Sequence, residues 1–203
     1  MDRKEQIKHY LFLIVQKWWG SLLLLPFMYE TLQQVYRALR FNIFFMISHE
    51  FPFPVNFVHF MTDNFLLIVH EAGHTFFSIA GSRFITILGG SLFQILLPLG
   101  IVFYTWINRQ KIGTQLSLAL VGFSWLDVAG YAADGGQQQL PLIGGLSKES
   151  HDWRNLLMDM NMLDYDLQFG IAFAVVGFLF YVAALTVPLY MKEYKTADIA
   201  IDL

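Results

Sequence analysis

The sequence predicts an all-α protein, a polytopic membrane helix bundle with about four to five spanning segments and a surface amphipathic helix. Two observations predict it. Hydrophobic side chains make up 56% of the 203 residues and charged ones only 14%, well under the roughly 25% charged fraction of ordinary soluble domains. The apolar residues also gather in runs near the roughly 20 residues that cross a bilayer, with the charges in the gaps between them.

Taken in order, Met1 to Lys8 is charged and precedes an apolar stretch. Lys17 interrupts that stretch and no small-residue cleavage pattern follows, so it reads as an uncleaved anchor rather than a signal peptide. Leu11 to Tyr29 either spans the membrane or lies partly in the interface, where Trp18-Trp19 suits the headgroup boundary. Glu30 to Arg40 spaces Leu32, Val35, Tyr36 and Leu39 as a surface-lying helix does. Pro52 and Pro54 should break Phe41 to His59 into a bent or re-entrant segment.

A helix is expected from about Phe57 to Ala80, closed by Gly81. Ile85 to Ile107 carries no charge, but Gly89-Gly90 and Pro98 argue against a straight helix in its first part. Thr114 to Ala133 forms a further span containing one acid, Asp127, and Gln168 to Tyr190 is uncharged throughout. Between these two lies the long polar segment Asp134 to Asp166. Within it, Ser150 is a plausible N-cap, Asp152 suits a first turn, and Trp153, Leu156, Leu157, Met160 and Leu163 form an apolar stripe. Arg109, Lys111, Lys192 and Lys195 give one face a slight basic bias, which points to the cytoplasm.

Composition removes several function classes. With no cysteine and a net charge of -3, the chain has no thiolate metal site and no basic patch for nucleic acid. Any metal must rest on His, Asp or Glu. His70-Glu71-Ala72-Gly73-His74 supplies such a site, because histidines four residues apart on a helix face the same way and can share one ion. A catalytic zinc takes three protein ligands and leaves a position for water, whose pKa it brings to about 7. Glu71 would then take that water's proton and pass it to the leaving amine. Ionisable residues inside hydrocarbon are costly, which favours a functional origin for the pentapeptide.

Three residues compete to be the third ligand. Asp134 precedes Gly135-Gly136 at the end of a span, on the same side as His74. Asp127 lies two helical turns deeper, about 10 Å away. On a regular helix Asp127, Tyr131 and Asp134 share one face, so that one acid can ligate while the other orients a ligand histidine. His151 is the third candidate, its alternative role being to begin a surface helix. His9, His49 and His59 read as ordinary interfacial histidines. Gly89-Gly90-Ser91 suggests a kink or a short extended strand beside the metal, with Gln94 offering an amide to a substrate backbone.

His70, Glu71 and His74, followed by Asp134-Gly135, resemble the site-2 protease-like intramembrane zinc metalloproteases, the M50 family, in its small members without a PDZ domain. The stretch from Gly81 through Gly90 to Pro98 is similar to the irregular segment after their metal helix. The family's Asn-Pro before the aspartate is absent here, and Leu126-Asp127 matches only the part before the glycine. The resemblance implies zinc on His70, His74 and Asp134, with Asp127 and His151 as alternatives, and Glu71 as the base. The implied activity is cleavage of a membrane-embedded protein substrate. A different class remains, a non-catalytic metal-binding membrane subunit that docks a partner subunit; metal or proton transport ranks behind both.

The expected organisation is a single integral membrane domain, 1–203. Its parts are an N-terminal anchor and interfacial region, 1–56, a metal-site core, 57–140, an interfacial loop and helix, 141–167, and a last span and tail, 168–203. The expected location is the bilayer of a bacterial cytoplasmic (inner) membrane.

Overall fold

The computed structural model describes residues 3–191. Among them every regular element is helical: α1 (Arg3–Arg40), α2 (Phe45–Ser48), α3 (Val55–Ser78), α4 (Arg83–Ile107), α5 (Lys111–Ala133), α6 (Asp152–Asp159) and α7 (Asp166–Tyr190). Three single turns of 3₁₀ helix, at Ile143–Gly145, Lys148–Ser150 and Leu163–Tyr165, punctuate the connections around α6. Four segments are long and apolar enough to cross a membrane: α1, α4, α5 and the stretch Leu163–Tyr190 that contains α7. The fold is therefore a polytopic membrane helix bundle. Lys192 and Lys195, two of the residues expected to give one face its basic bias, lie outside the described residues.

α5 is the central post. It packs against α1, α4 and α7, and small residues such as Ala119, Ala129 and Ala132 let those helices come close. Between α1, α5 and α7 the core is built on Met28, Phe123, Leu126, Tyr181, Ala184 and Val187. Several polar groups inside it are paired, as burial in a low-dielectric interior favours, while Thr114 Oγ1 and Gln115 Oε1 on α5 meet no hydrogen-bond partner among the described residues. The Ser21 hydroxyl donates to the Leu185 carbonyl at 2.9 Å, and the Thr31 and Tyr181 hydroxyls meet at 2.9 Å.

Two expectations change here. Glu30 to Arg40 is not a separate surface helix but the last turns of the 38-residue α1, which runs through Pro26. Thr31, Gln34, Val35 and Ala38 on that part are buried, because the polar positions find partners inside the bundle. Nor do Gly89-Gly90 and Pro98 open α4, which is continuous across all three. The reason is packing. A Cβ on Gly89 would stand 2.9 Å from the Gly73 carbonyl, and a Cβ on Gly73 would collide with the backbone of Gly89. The two glycines thus mark a close backbone crossing of α3 and α4, where tertiary contact outweighs weak helix propensity.

α3 begins directly after Pro54 and ends near Gly81, whose φ of +68° is the left-handed conformation that closes helices. α6 covers the bundle end between α4 and α5. Its Trp153, Leu156 and Leu157 are buried, the Trp153 indole donates to the Ser91 hydroxyl at 3.0 Å, and Arg83 at the start of α4 pairs with Asp159. Met160 and Leu163, the end of the expected stripe, fall beyond the helix. Its N-cap is His151 rather than Ser150: the His151 Nδ1 accepts from the Arg154 backbone N–H.

Candidate metal centre

His70 and His74 sit one turn apart on α3 and turn toward α4 and α6. Asp152, the first residue of α6, meets both: its Oδ2 is 2.9 Å from His70 Nε2 and 3.1 Å from His74 Nε2. The other ring nitrogens face acceptors. His70 Nδ1 lies 3.0 Å from the Gln94 carbonyl oxygen, and His74 Nδ1 lies 2.9 Å from the Thr86 backbone carbonyl. The Gln94 amide orientation is set on its far side, where its NH2 donates to Asp127 at 2.7 Å.

These partners decide the tautomers. Each Nδ1 donates its proton, so each neutral Nε2 presents a lone pair. Two nitrogen lone pairs and a carboxylate oxygen then converge on one point, an arrangement that only positive charge holds together. A metal ion or added protons can supply that charge. Where protons supply it, both Nε2 atoms donate to Asp152, and although burial raises its carboxyl, these hydrogen bonds outweigh burial and hold it below its usual range.

The geometry fits a small metal ion. Ligand atoms around a tetrahedral zinc with bonds of about 2.0–2.1 Å stand about 3.4 Å apart, and the two observed separations are a few tenths shorter. A small residue leaves the space beside them. A Cβ on Gly90 of α4 would come within 2.5 Å of His70 Nε2 and 2.6 Å of His74 Nε2. Glu71 belongs to the same group: ligand atoms of His70, Glu71 and His74 all lie within 4.8 Å of one another. Without thiols, the donor set of two imidazoles and carboxylates suits zinc.

The structure brings together His70, Glu71 and His74 but places the expected third ligands elsewhere. Asp134 ends α5 and accepts from the backbone N–H groups of Gln139 at 2.7 Å and Leu140 at 3.0 Å. Its Oδ2 also lies 3.2 Å from His151 Nε2, and neither side chain is exposed to solvent. Asp134 and His151 therefore secure the loop leading to α6, with the carboxylate held by loop donors rather than turned to α3. Asp127 holds Gln94 instead of facing the metal position directly. Gln94, expected to bind a substrate backbone, aims its carbonyl at His70.

Asp152 was visible in the sequence only as an acid suited to a first helical turn. The adjoining His-Asp-Trp was the available signal, since a buried Trp153 pulls its neighbour against the bundle. Of the remaining histidines, His49 Nε2 meets Glu30 at 3.2 Å, and the His59 ring stacks on Phe51 at 4.0 Å.

A cavity of about 590 Å³ adjoins the centre. His70, Glu71, His74, Asp127, Tyr131 and Asp152 are among its polar lining, with Asp63 and Gln94. Its apolar side includes Met46 and Leu67, together with Leu140, Ile143 and Leu146 from the loop before α6. Searches of protein-family models, curated proteins and solved structures each find no match to this chain.

Proposed function

We propose that this protein is a zinc-dependent intramembrane endopeptidase of the site-2 protease-like class, with His70, His74 and Asp152 as the metal ligands and Glu71 as the general base. The observation that carries the reading is the convergence of His70 Nε2, His74 Nε2 and Asp152 Oδ2, with Gly90 letting both imidazoles pack against the α4 backbone. Three ligands leave a coordination position for water, which is the arrangement of catalytic zinc rather than of a closed structural site. When bound, zinc supplies an acidified water and polarises a carbonyl.

The chain's own residues do the rest. Glu71 takes the proton of the attacking water and passes it to the departing nitrogen. Gln94, held by Asp127, keeps His70 in one tautomer and one ring orientation. The apolar cavity wall suits a membrane segment, and such a segment must unwind locally there, because a helical peptide bond is shielded by its own hydrogen bonds.

The test is Glu71→Gln in the zinc-loaded protein, reconstituted in lipid with a set of transmembrane peptides and read by mass spectrometry. The wild type should cleave, while the variant retains zinc and cleaves none. Equal cleavage by both overturns the reading. Zinc uptake without cleavage by the wild type favours the non-catalytic subunit instead.

A further inference from the structure

We infer that the Tyr131 hydroxyl is a further catalytic group, the donor that stabilises the negative oxygen formed when water adds to the substrate carbonyl; this rests on the peptidase reading above. Tyr131 lies on α5, and its ring is wedged between two histidines: 4.3 Å from the His151 ring centre and 6.0 Å, edge-on, from that of His70. This contact fixes the direction of the phenol. Its oxygen accepts a hydrogen bond from the Asp152 backbone N–H at 3.1 Å. It therefore stands beside the same residue whose carboxylate meets both imidazoles.

A phenol both accepts and donates. Its acceptor side is engaged by Asp152, whereas among the described residues its own proton meets no acceptor. Tyr131 also lines the cavity beside Glu71. The structure thus holds a phenol oxygen, fixed from behind by Asp152, on the wall of the cavity that Glu71 also lines. Gln94 already has a different task, one N–H going to Asp127 and its carbonyl oxygen to His70.

The step balances without another reagent. The water oxygen bonds to the carbonyl carbon as Glu71 takes its proton, and the carbonyl π pair moves onto oxygen. Tyr131 donates a hydrogen bond to that oxygen and keeps its proton. The pair then returns, the C–N bond breaks, and the proton held by Glu71 passes to the nitrogen. A donor that strengthens its bond as charge develops lowers the barrier without tightening substrate binding.

The test compares wild type and Tyr131→Phe, which keeps the ring between the histidines. The probe is an apolar tetrapeptide whose central peptide bond is replaced by a phosphinate, a tetrahedral anion resembling the intermediate. Zinc affinity is measured beside it by chelator competition. The expected result is a roughly hundredfold loss of phosphinate affinity, the scale of losing one such donor, with zinc affinity within about threefold of wild type.

Unchanged phosphinate affinity overturns the assignment. So does a parallel loss of zinc, which would make Tyr131 a support for α6. If the zinc-loaded wild type binds no phosphinate and cleaves none of the transmembrane peptides, the peptidase reading falls and takes this assignment with it. A wild type that binds the phosphinate while Tyr131→Phe binds it equally well overturns only the role of Tyr131.

Discussion

Gln94 donates its amide NH2 to Asp127 at 2.7 Å, and this bond turns its carbonyl oxygen toward His70. The acid on α5 thus sets the tautomer of a histidine on α3 through a side chain of α4. Support of this kind around a metal ligand is worth about 10–100-fold in metal affinity. Gln94→Leu should weaken zinc binding by that factor while α3 and α4 still pack. Chelator competition measures the change, and an unaltered affinity would remove Gln94 from the site.

The third ligand can be tested by a pair of substitutions. Asp152→Ala should abolish stoichiometric zinc uptake. Asp134→Ala should leave zinc bound, yet destabilise the protein by about 1–3 kcal/mol, the usual cost of leaving buried hydrogen-bond donors without their acceptor. Metal analysis and chemical unfolding of both variants in detergent read the two outcomes. Zinc lost from Asp134→Ala and kept by Asp152→Ala would reverse the assignment.

Gly90 leaves the space beside the two imidazoles. Gly90→Ala places a methyl within 2.5 Å of His70 Nε2, so zinc binding should fall at least tenfold. Gly100, on the same helix, has nothing near its added Cβ, and Gly100→Ala should bind zinc as the wild type does. Isothermal titration of both proteins separates a local steric effect from a general one.

The crossing of α3 over α4 depends on Gly73 and Gly89. A methyl at Gly73 would overlap the Gly89 backbone, and rigid backbone cannot yield as a side chain can. Gly73→Ala should therefore destabilise by roughly 1–3 kcal/mol and loosen the register between His70 and Gln94. Unfolding by denaturant in mixed micelles provides the measurement.

Composition and periodicity made the helical fold legible, and the His-Glu-Ala-Gly-His spacing made one wall of the site legible. Both are local signals carried by a single helix. Asp152 was harder to see, since it lies 82 positions beyond His70 and reaches it only because Trp153, Leu156 and Leu157 dock α6 on the bundle. Asp134 had the stronger local pattern, but the N–H groups of Gln139 and Leu140 draw its carboxylate into the loop. The glycines of α4 misled for a related reason: propensity sees missing side chains, whereas the bundle uses the room they leave. The shared face of Asp127, Tyr131 and Asp134 was readable from helical spacing, though its members perform three different tasks.

The position of Asp152 has a consequence for how the protein matures. A nascent chain that has reached the end of α5 already carries His70, Glu71, His74, Gln94 and Asp127, but not the carboxylate that joins the two imidazoles. That group arrives only with the segment that docks through Trp153 and pairs Asp159 with Arg83. The group of two imidazoles and a carboxylate is therefore completed late in the order of the chain, after α3, α4 and α5 and before α7.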